Sequence, residues 1–144
     1  MAGRGRSKRT TGRQPAGAVA MNPMAEQVGP DFYDERSLAE VLGSAEEPLA
    51  TADVKAMREG KDVLALPTAD GHWVFPTWQV ADGAILPGIP DVLAAFASAP
   101  VWSVGLWLTT SDERWGGRTP VEALGAGETA AVVEEAAATA ARWA

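Results

Sequence analysis

The sequence predicts a mainly α protein: a small helical bundle with a short β-hairpin between a helix-turn-helix-like N-terminal half and a helical C-terminal half. Three observations carry that expectation. Two short segments with helix start and stop residues, "SLAEVLG" and "ATADVKAMREG", precede an apolar stretch broken by Ala-Asp-Gly. From residue 90 onward the apolar residues recur at helical spacing. The final stretch, Glu128 to Arg142, is rich in alanine, the residue of highest helix propensity.

Residues 1–30 hold few large apolar side chains, too few to offset the entropy of ordering, and are expected to form a disordered basic tail. Met21 and Met24 within it are alternative starts. Arg4, Arg6, Lys8, Arg9 and Arg13 precede the first acidic residue, so the other seven basic residues face all nineteen acidic ones, a balance of −12. A basic tail reads as a flexible solubilising segment or as one that touches nucleic acid or an acidic partner. The acidic remainder argues against broad, nonspecific DNA binding by the folded part.

Residues 31–84 read as a degenerate winged helix-turn-helix. Ser37 and Glu40 have the spacing of a capping box, and Gly43 ends a helix of about two turns. Thr51 or Asp53 caps a second helix carrying Val54, Met57 and Arg58, which Gly60 closes. Val63, Leu64 and Leu66 form a strand, "ADG" a turn, and Trp73, Val74 and Phe75 the returning strand. Lys55, Arg58 and Lys61 surround the second helix and wing, and with Arg4, Arg6, Lys8 and Arg9 of the tail they are the DNA-binding candidates. "SAEEPLATAD" is acidic and contains Pro48 where a DNA-facing unit would prefer basic residues, so the expected DNA contact is weak.

Residues 85–144 are expected to be helical. "PDVLAAFAS" places Val92, Leu93 and Phe96 on one face. "PVWSVGLWL" is apolar nearly all round, the mark of a buried or interface helix. In "GGRTPVEAL", Thr119 is placed as N-cap, Pro120 suits the first helical position, and Glu122 completes a capping box. Gly116 and Gly117 allow the turn that leads in. On this reading the turn presents Arg118 to solvent.

Little chemistry assembles from these residues. With no cysteine there are no disulfides, thiolates or Cys-based zinc sites. His72, the one histidine, follows Asp-Gly in the hairpin and has no activated nucleophile beside it in sequence. "GAGETA" at 125–130 has the glycine spacing of a dinucleotide fingerprint, but a helix rather than a strand precedes it; it reads as a helix stop and a helix start. The acidic residues Asp31, Asp34 and Glu35 read as a solvated loop. A non-enzymatic protein without cofactor or metal is expected. No apolar run approaches the ~20 residues of a membrane span, and the basic start lacks an apolar signal region, so a cytoplasmic location is expected.

Five of the six tryptophans fall between residues 73 and 115. They read either as core filling or as anchors on a protein-binding face, where Trp and Arg are enriched. Trp115, beside the Gly-Gly turn, is the one expected to be exposed.

The stretch "LPGIPDVLAAF" through "VWSVGLWLTTSDERWGGRTPVEAL" resembles the C-terminal domain of the Xre/MbcA/ParS family of antitoxins. The match lies in the Leu-Pro-Gly lead-in, a helix with Trp107 and Leu108, a short polar loop, Gly-Gly-Arg-Thr-Pro with Glu122, Ala123 and Leu124, and a last helix. It spans roughly residues 85 to 142. The resemblance implies a toxin-binding-like domain, a homodimer, and a partner toxin encoded nearby, commonly a RES-type NAD-degrading enzyme. It implies too that the N-terminal half represses its own operon. By motif position, Trp107, Trp115, Arg118 and the last helix with Glu128 and Arg142 would face the toxin. That helix ends in "ARWA" without the glycine-terminated tail common in the family, which puts in doubt any plugging of the toxin's active site by the C-terminus. The expected function is thus an antitoxin-like protein that neutralises a toxin. The alternative is a DNA-binding transcriptional regulator whose C-terminal helices only dimerise.

Overall fold

The computed structural model describes residues 24–29 and 31–144. Its N-terminal half comprises α1 (Ala25–Val28), β1 (Phe32–Tyr33), α2 (Glu35–Leu42), α3 (Thr51–Glu59), β2 (Leu66–Pro67) and β3 (Trp73–Pro76). A 3-10 turn at Thr77–Gln79 leads to a second hairpin of β4 (Val80–Ala81) and β5 (Ala84–Ile85). The C-terminal half comprises α4 (Ile89–Ala95), α5 (Val101–Leu108), a 3-10 turn at Glu113–Trp115, α6 (Pro120–Gly125) and α7 (Thr129–Trp143). The mainly α architecture with a short hairpin is the one the sequence predicts.

Helix α2 starts three residues earlier than expected. Asp34, not Ser37, is the N-cap, and its carboxylate accepts the Ser37 backbone N–H at 2.7 Å. The physical reason is that an aspartate three residues ahead of Ser37 offers a charged acceptor to the N–H groups of an earlier first turn. Helix α3 likewise lacks the expected side-chain cap: Ala50 occupies that position, and Thr51 is already helical. Gly43 and Gly60 end the two helices as anticipated.

Strand β3 lies between β1 and β2, antiparallel to both, with Leu66 opposite Val74 and Tyr33 opposite Phe75. Alternation along the sheet sends Phe75 inward, where it joins Leu38, Ala39, Val54, Val63 and Ala65 in a small core between the sheet and the first two long helices. A larger core unites α1, β2, β3 and the four C-terminal helices, with Val28, Leu64, Leu66, Ile89, Val92, Leu108 and Val132 all fully or almost fully buried.

Part of the expected tail belongs to this core. Val28 is completely buried, and Trp78 Nε1 donates to its carbonyl at 2.7 Å. Residues 24–29 are therefore structured, correcting the expectation that the tail extends to residue 30; residues 1–23, with Arg4, Arg6, Lys8 and Arg9, lie outside the described residues. Gly105 on α5 makes the contact possible. A Cβ there would meet Val28 Cγ1 at 2.9 Å, closer than side chains tolerate. This is why α5 is apolar nearly all round: α1 covers one of its sides.

Gln79 is a fully buried polar side chain. Its amide accepts from Leu64 N–H at 2.7 Å and donates to Leu64 C=O at 2.8 Å, replacing a missing strand partner. Burying an amide is tolerable only with such pairing.

Candidate nucleic-acid interface

The order β1, α2, α3, β2, β3, with β3 central in the sheet, is the connectivity of a winged helix-turn-helix. In such modules the second helix of the pair enters the major groove. The link between α2 and α3 is longer than the usual tight turn, running from Gly43 to Ala50, and Gly43 N–H and Leu49 N–H both bond to Ala39 C=O at 3.0 Å. That shared acceptor ties the link back onto α2.

Helix α3 buries Val54 and exposes Thr51, Ala52, Lys55, Ala56 and Glu59. Ala52, Lys55, Ala56 and Glu59 follow the i, i+3, i+4, i+7 spacing of a single face. Lys55 thus stands between two small side chains on this face, with Glu59 at its far end. Arg58 is half-buried, with its guanidinium 4.6 Å from the centre of the Trp73 ring. Lys61 is exposed and holds a left-handed backbone, φ 60°, as the chain leaves the helix toward β2. The structure thus brings Lys55, Arg58 and Lys61 onto one helix and its exit, as the sequence spacing implies.

The wing tip carries an opposing charge. Thr68, Asp70 and His72 close the hairpin: Thr68 C=O accepts from Gly71 N–H, and the Thr68 hydroxyl oxygen accepts from His72 N–H at 3.0 Å. The Thr68 hydroxyl also donates to Asp70. That hydrogen bond, with the nearby His72 ring adding to it, holds the Asp70 carboxyl below the usual carboxylate range. His72 is exposed at the turn, with Nε2 3.9 Å from Asp70.

The C-terminal candidates are engaged within the helical bundle. Trp115 is only 6% exposed, which corrects the expectation that it stands on the surface. The 3-10 turn folds its ring inward against the bundle instead of out with the two glycines. Arg118 Nε donates to Trp115 C=O at 2.7 Å, and its Nη2 pairs with Glu128 at 2.7 Å. The guanidinium is partly exposed yet occupied, bracing the Gly-Gly turn against the start of α7 rather than standing free. Arg142 pairs with Glu135 at 3.2 Å, and Glu135 also receives Arg114 at 2.5 Å. Asp112 accepts the backbone and side-chain N–H groups of Arg114, which hold its carboxyl below the usual range. Trp107 is half-buried and meets Phe96 edge to face at 5.2 Å. Trp143, not among the site candidates read from the sequence, is 46% exposed, with its ring centre 5.1 Å from that of Phe96.

The fold is that of a small mainly α protein with short β-hairpins. No family model matches the chain, and no curated protein matches it in sequence. The chain is similar to a solved structure, the NMR structure of Rv2175c, with a TM-score of 0.64 and 24% identity over 90% of this chain and 98% of that one. At that identity the likeness speaks for the fold. Among the described residues no helix is long and apolar enough to cross a membrane.

Proposed function

We propose that the protein is a DNA-binding regulator that reads duplex DNA through α3 and the β2–β3 wing. The observation that carries this reading is the winged connectivity with Lys55 at the centre of the exposed, small-residue face of α3. Phosphate contacts from Lys55, Lys61 and the basic tail supply the nonspecific part of the affinity. Asp53, Glu59 and Asp70 oppose it, so binding is modest and strongly salt-dependent. The C-terminal helices hold a second copy, because paired half-sites are the usual way such a small module gains specificity. The test is a titration of random and genomic-fragment DNA with wild type and Lys55→Ala at low salt. Affinity that falls in the variant supports the reading; identical affinity refutes it.

A second reading, an antitoxin-like protein that binds a partner toxin, keeps one observation in its favour. Trp143, Phe96 and Trp107 form an aromatic cluster at the end of α7, with Trp143 substantially exposed. Exposed tryptophan is a frequent anchor of protein interfaces. Copurification with the product of an adjacent gene, lost in Trp143→Ala, would favour this reading.

A further inference from the structure

A cavity of about 150 Å³ opens between the end of α3 and the beginning of α5. Leu64, Phe96 and Val104 form apolar walls, while Arg58, Lys61 and Trp73 line it as well. Arg58 stacks on Trp73, which fixes the plane of its guanidinium. Its Nε is buried and has no hydrogen-bond partner, and among the described residues neither Arg58 nor Lys61 enters an ion pair. A buried donor left unpaired is costly, and an acceptor brought by a ligand would relieve it. The cavity therefore combines an apolar body with two cations and an unused donor.

We propose that this cavity binds a small organic carboxylate, with its apolar part against Leu64, Phe96 and Val104 and its carboxylate on Arg58 and Lys61. A free inorganic anion lacks the apolar part, and a neutral ligand forgoes the charge-assisted bonds to the two cations. On the DNA-binding reading, an occupied cavity withdraws Lys61 from the phosphate backbone, linking ligand to DNA affinity. The site itself goes beyond the DNA-binding reading and does not depend on it.

The experiment is an NMR titration of the isotope-labelled full chain, without DNA, using phenylacetate, phenylacetamide and acetate as probes. Phenylacetate is expected to shift the Arg58 Nε–H and Val104 amide signals and to bind at least about tenfold more tightly than either, because phenylacetamide lacks the charge and acetate lacks the apolar ring. Arg58→Gln should abolish the preference for acid over amide. Ala99→Phe, a substitution at a half-buried position on the cavity lining, should block phenylacetate while leaving the remaining spectrum folded. Equal binding of acid and amide, shifts that persist in Ala99→Phe, or no shift at millimolar phenylacetate would each overturn the proposal.

Discussion

Gln79 and Arg118 show how differently two polar side chains support the same fold. Gln79 is wholly buried and gives both of its amide atoms to Leu64. Gln79→Leu leaves the Leu64 N–H and C=O without partners in the interior, which should lower stability by about 2–3 kcal/mol in a denaturant melt. Arg118 is partly exposed, so its pair with Glu128 is screened by solvent. A double-mutant cycle of Arg118→Ala and Glu128→Ala should give a coupling energy below ~1 kcal/mol. Thr119→Ala should cost about 1 kcal/mol, because the capping box is fully formed: Thr119 accepts from Glu122 N–H at 3.1 Å and Glu122 accepts from Thr119 N–H at 2.8 Å. That box was legible because its chemistry is local. Trp115 was misplaced since no local pattern says which way a ring beside two glycines will turn. Gln79 gave no signal at all, because its partner lies fifteen residues upstream.

At the scale of elements, α1 depends on tertiary contacts. Four residues cannot sustain a helix alone; Val28 in its pocket beside Gly105 and the bond from Trp78 hold it. Truncation to residue 31 should therefore lower the melting temperature relative to truncation to residue 24. Gly105→Ala should destabilise by about 1–3 kcal/mol through overpacking against Val28, and a melt that matches wild type would show that α1 does not pack there. The long helices and the first hairpin were readable from periodicity and from Ala-Asp-Gly. Helix α1 was not, since "AEQV" is too short to show a period. The β4–β5 hairpin was within reach: Asp82-Gly83 is a strong two-residue turn signal, and both residues hold positive φ, 53° and 76°. "GAGETA" proved to be a helix stop and start, with Gly127 at φ 87° between α6 and α7.

For the whole molecule, the acidic body stands, on the DNA-binding reading, against a few cations, Lys55 on α3 and Lys61 at its exit, with Asp53 and Glu59 on the same helix opposing them. Asp70 at the wing tip belongs to the opposing set, so Asp70→Asn should raise affinity at low salt, with the gain fading as ionic strength rises. The order of two short helices followed by a hairpin was legible in the sequence. The positions of the cations followed from α3 being a helix, whereas the engagement of Arg118 with Glu128 required the path of the whole C-terminal chain. The most direct test of the DNA-binding reading is the salt dependence of binding to a fixed duplex for wild type and Lys55→Ala. The expected result is a steep loss of wild-type affinity with salt, and a slope smaller by about one counterion in the variant. Identical affinities and slopes for the two proteins, or no binding by wild type at low salt, would contradict it.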